Sequence, residues 1–119
     1  MSNFDQIRAN ATPIEIQLRW SDQDVNGHVN NVHILTLMEE ARIRATQQWT
    51  ATTPGLTGRR RVARALKTNF DREVHYGKAT TVWVWIARIG STSFVFGQLL
   101  AQDDQPCVYA EATMVVLDS

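Results

Sequence analysis

Arg19-Trp20-Ser21-Asp22-Gln23-Asp24-Val25-Asn26-Gly27-His28-Val29-Asn30-Asn31 runs directly into a helical pattern and decides how the rest of the chain is read. Before it, Ile14, Ile16, Leu18 and Trp20 alternate with Glu15, Gln17 and Arg19. That period of two predicts a strand with one buried face over 14–20. After it, Ile34, Leu37, Met38, Ala41, Ala45 and Trp49 fall on one stripe at helical spacing, predicting a helix over 31–50. Asn30 or Asn31 can cap its start, and Glu40 and Arg44 stand at i,i+4 for a supporting ion pair. Between the two elements lies a polar loop, 21–30, with Asn26-Gly27 as its turn signal.

Downstream, Thr52 to Arg61 reads as a loop broken by Pro54, Gly55 and Gly58 and closed by Arg59-Arg60-Arg61. Strands follow at 62–74, 80–89, 94–102 and 107–117, with turns at Gly77-Lys78, Gly90-Ser91-Thr92 and Asp103 to Pro106. One strand, one long helix and four further strands predict an α+β domain, an antiparallel sheet of about five strands with the helix on its face. Trp83 and Trp85 alternate with Val82, Val84 and Ile86, so that strand is apolar on both sides. A second subunit covering the other face or the sheet edge is therefore expected.

The chain, 119 residues long, suits a single domain over 1–119, with 1–12 flexible or peripheral. Its formal net charge is zero and its hydrophobic content 44%, which gives no electrostatic case for a nucleic-acid or membrane partner. The N-terminal residues include Asp5 and Arg8 and lack an apolar core, unlike a signal peptide. A single cysteine, Cys107, excludes an internal disulfide framework, and a reducing, cytoplasmic compartment is expected.

The chemistry is sought at the loop-to-helix junction. A helix start offers unpaired N–H groups and the positive end of the macrodipole. Asp24 sits a few residues before it, and Gly27 allows the loop to turn back cheaply. The alternative role for Asp24 is an Asx turn or a cap on the helix. Asp22 reads as a loop-shaping residue, and His28 as either a substrate contact or a loop-fixing hydrogen bond. Asn30 and Asn31 read as caps first and ligand contacts second. His28 and His33 lack the spacing of a zinc site, so no metal is expected. Arg59, Arg60, Arg61 and Arg64 form the basic cluster, without the interleaved aromatics of a nucleic-acid module.

The string Asp22-x-Asp24-x-x-Gly27-His28-x-Asn30-Asn31, followed by Glu39-Glu40-Ala41-Arg42, resembles the signature of the 4-hydroxybenzoyl-CoA thioesterase family of hotdog-fold acyl-CoA thioesterases. The resemblance continues through Tyr76-Gly77, Arg88 to Phe94 and a closing strand that ends at Asp118. It implies hydrolysis of an acyl thioester to free acid and coenzyme A, with Asp24 as nucleophile or general base. The helix N-terminal amide, at Asn31 or next at Val32, would polarise the carbonyl, with Gly27 and His28 completing the catalytic group. Asn30, Arg60, Arg61, Arg88, Ser91 and Thr92 are then expected to contact substrate, the arginines through coenzyme A phosphates. No cofactor is implied beyond coenzyme A as part of the substrate. The resemblance also implies a homodimer with a continuous sheet, doubled to a homotetramer. A non-catalytic acyl-thioester binding module is the alternative; a dehydratase of the same fold, with His28 as base, fits the motif less well. The chain departs from the family pattern at Phe70-Asp71-Arg72-Glu73-Val74, where relatives carry an apolar residue and a proline.

Overall fold

The computed structural model describes residues 4–51 and 60–117. Its long helix, α2 (Asn31–Thr50), buries Ile34, Met38, Ala41 and Ala45. Alanines at two stripe positions let the helix axis lie close to a sheet, while Ile34 and Met38 supply area. Each fully buried side chain of that size is worth about 1.5–3 kcal/mol. Beneath lies a five-stranded sheet of spatial order β1-β3-β4-β5-β2. Its strands are β1 (Thr12–Ile16), β2 (Arg60–Phe70), β3 (Thr80–Ile89), β4 (Ser93–Gln102) and β5 (Gln105–Leu117). Every neighbouring pair is antiparallel. The fold is α+β, a curved sheet around one helix, the hotdog arrangement that the resemblance implies.

Register sorts the two faces. Val82 opposes Leu100, which opposes Val108, and Val84 opposes Gln98, which opposes Ala110. These residues are buried and, with Ile14, face Ile34 and Met38 of α2. Trp83 and Trp85 point to the outer face. Trp85 lies across β4 there, and a Cβ on Gly97 would stand 2.2 Å from the indole. Glycine is required at 97 by that ring.

Several boundaries differ from the sequence reading. A short helix, α1 (Phe4–Asn10), precedes β1 and places Phe4 edge-on to Trp83 at 6.4 Å. Part of the outer face is thus covered by the chain itself. β1 spans Thr12–Ile16 rather than 14–20, because the strand leaves the sheet edge once Ile16 has met Thr80. β2 begins at Arg60, so Arg60 and Arg61 are strand residues opposite Leu117 and Val116, and it ends at Phe70 rather than Val74. A bulge between Ala63 and Ala65 gives β2 its bend. Asp103 and Asp104, at φ of 51° and 62°, close a tight hairpin, so β5 starts at Gln105. Pro54, Gly55, Gly58, Arg59 and Asp118 lie outside the described residues. Among the described residues no helix is long and apolar enough to cross a membrane.

Candidate active site

The loop between β1 and α2 is built on Asp22, which is 2% exposed. Its carboxylate accepts the Arg19 backbone N–H and an Arg19 guanidinium N–H, both at 2.9 Å, and stands 3.9 Å from His33 Nδ1. Burial alone would push the Asp22 carboxyl up. The Arg19 backbone and side-chain donors outweigh it and hold the group below the usual carboxylate range. The Asn30 N–H also returns to the Asp22 carbonyl at 3.3 Å, tying the strand exit to the helix start. Asp22 therefore shapes the loop, and its charge is balanced by Arg19 rather than perturbed by Asp24.

Beyond Asp22 the chain makes a miniature hairpin in which Gln23 bridges Val29. The Asp24 N–H donates to the His28 carbonyl at 2.9 Å, and Gly27 N–H donates to the Asp24 carbonyl at 3.0 Å. Gly27 sits at φ +81°, the left-handed region that glycine adopts without a steric cost. Asp24 makes the Asx turn: its Oδ1 accepts the Asn26 N–H at 2.8 Å. Its Oδ2 receives no protein donor among the described residues, and the side chain is half-buried. One carboxylate oxygen is anchored and the other is left available.

At the helix start, Asn30 is the N-cap and its Oδ1 accepts the Val32 N–H at 2.8 Å. That cap consumes Val32, the second oxyanion donor considered from sequence. The Asn31 and His33 N–H groups have no acceptor among the described residues. The arrangement thus offers a carboxylate oxygen and unclaimed backbone donors at one junction, the elements that acyl transfer requires.

His28 and His33 do not converge as ligands of one ion. His28 faces Glu73, at 3.8 Å, and His75 lies 3.4 Å from the other Glu73 oxygen, with the two rings edge-on at 6.4 Å. The Val29 N–H donates to the Val74 carbonyl at 2.7 Å. Buried Gln102 clamps both backbone groups of His75, at 3.0 and 2.9 Å. Glu73 and His75 were not singled out from sequence. Their signal was the charged departure from the family pattern at 71–73; the contact itself is long-range.

The remaining candidates lie elsewhere. Arg60, Arg61, Ser91 and Thr92 gather where β2 begins and the β3–β4 hairpin turns, with the Val116 N–H donating to the Thr92 carbonyl at 2.9 Å. That is the opposite end of the sheet from the motif loop, which abuts Val74. Arg88 is turned to the outer face, 3.2 Å from Glu111. The Tyr109 hydroxyl first, and Arg88 after it, hold Glu111 below its ordinary range. Glu40 pairs with Arg44 at 3.5 Å. Cys107 is buried, and burial pushes its thiol up, away from nucleophilic use. A cavity of about 910 Å³ is bordered by Ile7, Trp49, Trp85 and Tyr109 and does not include the motif loop.

Comparison with known proteins follows the same lines. Residues 18–119 match the family model described as the thioesterase-like superfamily. The fold is similar to that of a probable thioesterase from Bartonella henselae, with a TM-score of 0.83, 19% identity, and coverage of 92% of this chain and 93% of that one. A thioesterase from Thermus thermophilus complexed with coenzyme A and Zn superposes with a TM-score of 0.74 at 22% identity, covering 90% and 79% of the two chains. A 1,4-dihydroxy-2-naphthoyl-CoA thioesterase from Synechocystis gives 0.78 at 17% identity, covering 89% and 81%. No curated protein matches the chain by sequence.

Proposed function

The chain belongs to the thioesterase-like superfamily, and from that premise we propose that it hydrolyses an acyl-CoA thioester to the free acid and coenzyme A. The observation that carries this reading is the pairing, at one loop-to-helix junction, of an Asp24 oxygen without a protein donor and the unclaimed Asn31 N–H. The thioester carbonyl oxygen takes the Asn31 N–H, where the helix dipole favours developing negative charge. Asp24 acts as general base on water or attacks the carbonyl carbon itself. The carbon–sulfur bond then breaks, and the thiolate leaves without prior protonation, since a free thiol has a pKa of about 8.5; on the nucleophilic route water then attacks the Asp24 carbonyl of the mixed anhydride, which releases the free acid and restores the carboxylate. Gly27 holds the turn that presents Asp24, and His28, braced by Glu73, borders it. Asn30 fixes the helix start. Single turnover in ¹⁸O-water separates the two roles of Asp24, because only the nucleophilic route places label in the protein.

Arg60, Arg61, Ser91 and Thr92 are proposed to receive the coenzyme A moiety, and Arg88 would have to leave Glu111 to join them. They stand at the opposite end of the sheet from Asp24 within one chain. A second copy resolves the separation. β1 covers β3 only from Thr80 to Val84, so Trp85 to Ile89 is an open edge, and Ile89 is 81% exposed. Antiparallel pairing of two such edges continues the sheet and carries the partner's hairpin toward the first copy's motif end. We therefore propose a homodimer at least, with a homotetramer as its doubled form, acting in the cytoplasm without a further cofactor. The Asx turn favours a second reading, since it gives Asp24 a purely structural use: a module that binds acyl thioesters without cleaving them. Incubation with an acyl-CoA panel decides between them: free thiol is released on the enzymatic reading, whereas saturable binding without thiol release supports the module.

A further inference from the structure

A cavity of about 320 Å³ between α2 and the start of β2 is lined by Arg42, Arg60, Arg61 and Glu39, with Phe96 and Met114 beside them. Arg42 is its unusual member. The residue is 8% exposed, and its acceptor among the described residues is a neutral amide: Nη1 donates to Gln98 Oε1 at 3.0 Å. Gln98 is itself held in place, its Nε2 donating to the Met38 carbonyl at 2.8 Å. A guanidinium has five N–H donors in a rigid fork, and a neutral acceptor does not repay the desolvation of a buried cation. Burial pushes the Arg42 guanidinium below its ordinary range, with Glu39 offsetting only part of the effect. Arg61, stacked over Phe94 at 5.8 Å, is pushed the same way by burial. Three guanidinium groups against one carboxylate leave this cavity positive.

An exposed apolar strip runs beside the cavity. α2 packs on β1, β3 and β4, while Leu66 and Phe70 on the inner face of β2 stay exposed. Leu35 and Ile43 are exposed on α2, on a flank that begins at Asn31 and passes Glu39 at i,i+4 spacing. Asn31 and Arg42 are separated by roughly 16 Å along the helix at 1.5 Å per residue. An acyl chain whose carbonyl sits at Asn31 can lie along this strip and bring its far end to the Arg42 side chain.

We propose that Arg42 receives a carboxylate at the distal end of the acyl group, so that the preferred substrates are ω-carboxyacyl thioesters: dicarboxylic acids joined to the carrier at one end. The carboxylate site stands on geometry; its use in substrate selection rests on the thioesterase reading. A planar carboxylate matches the guanidinium fork in a bidentate way, and one oxyanion on an alkyl chain suits walls made of Ile43, Phe96 and Met114. The phosphates of the carrier are the other source of an oxyanion, but they come with a hydrated nucleotide, which suits exposed Arg60 at the edge of the cavity and not buried Arg42 beside Phe96 and Met114.

Two measurements on the full chain test the proposal. In turnover, suberyl-CoA with a free ω-carboxylate should exceed its ω-methyl ester in kcat/KM by at least about 10-fold, the discrimination expected of a buried polar site denied its partner. Arg42→Met should bring that ratio toward one and Arg42→Lys should leave an intermediate ratio, with thermal melts confirming that each variant is folded; if Arg42→Met does not fold, Arg42→Lys and Arg42→Gln carry the comparison. In binding, calorimetry should detect free suberate and not its dimethyl ester, with suberate affinity reduced in the arginine variants. Equal kcat/KM for the two thioesters in the wild type, or a ratio unchanged in the folded variants, overturns the proposal. So does a uniform loss on both thioesters that disappears with dephospho-coenzyme A as carrier, since that assigns the anion to the phosphate. Arg42-dependent suberate binding without hydrolysis of any thioester would keep the carboxylate site and refute the reaction; hydrolysis without suberate binding would do the reverse.

Discussion

Replacing Asp22 by Asn tests how the candidate site is held, because it changes one atom and removes the charge at the centre of the motif loop. The carboxylate accepts the Arg19 N–H at 2.9 Å and the Arg19 guanidinium at 2.9 Å. A hydrogen bond to a buried charged group contributes about 1.5–3 kcal/mol, and its neutral counterpart about 1. An asparagine oxygen can retain the backbone bond in its neutral form, while its NH₂ faces the guanidinium donors. The Arg19 side chain is largely exposed, so its pairing is screened and adds about 0.5 kcal/mol. The expected loss is about 1.5 kcal/mol at pH 7, a fall in Tm of roughly 6 °C. The pH dependence has a definite sign. The folded pKa of Asp22 lies below the ordinary aspartate value, so the wild-type advantage is full above that ordinary value and disappears as pH falls through the folded pKa. Urea melts of both proteins at a series of pH values read this directly, as a gap in midpoint that is constant near neutrality and closes at strongly acidic pH. A gap of the same size at both extremes, or none at pH 7, would refute the assignment of Asp22 as the charged anchor of the loop.

Gly97→Ala places a methyl group where the Trp85 indole lies, and the displaced ring should cost about 1–3 kcal/mol, visible as a lower Tm. Asn30→Ala removes the cap on Val32 and should destabilise the chain by about 1 kcal/mol; hydrogen exchange should rise first at Val32 and its neighbours in α2.

The parts of the fold that could be read in sequence are those with strong periodicity. Ile34, Met38, Ala41 and Ala45 define α2 at both ends, and the Val82–Val84 alternation defines β3. α1 escaped notice because it has few turns and buries no residue completely. β2 was displaced because Arg60-Arg61 reads as loop punctuation. The sheet tolerates these charges at a position where α2 leaves the inner face open, with Arg61 over the Phe94 ring. At the site, adjacency in sequence brought Asp24, Gly27, His28, Asn30 and Asn31 together. Glu73 and His75 could not be joined to His28 without the backbone pairing of Val29 to Val74. The isolation of Arg42 depends on Gln98, a residue distant in sequence.

The account turns on the Asp24 carboxylate. Asp24→Asn preserves the oxygen that accepts the Asn26 N–H, so the loop and the melting temperature should be retained while the charge is lost. On the best acyl-CoA of the panel, kcat should then fall by roughly 100- to 10,000-fold with KM little changed. Thiol release by Asp24→Asn within about twofold of the wild type, an interval far below any catalytic carboxylate's contribution, would contradict it.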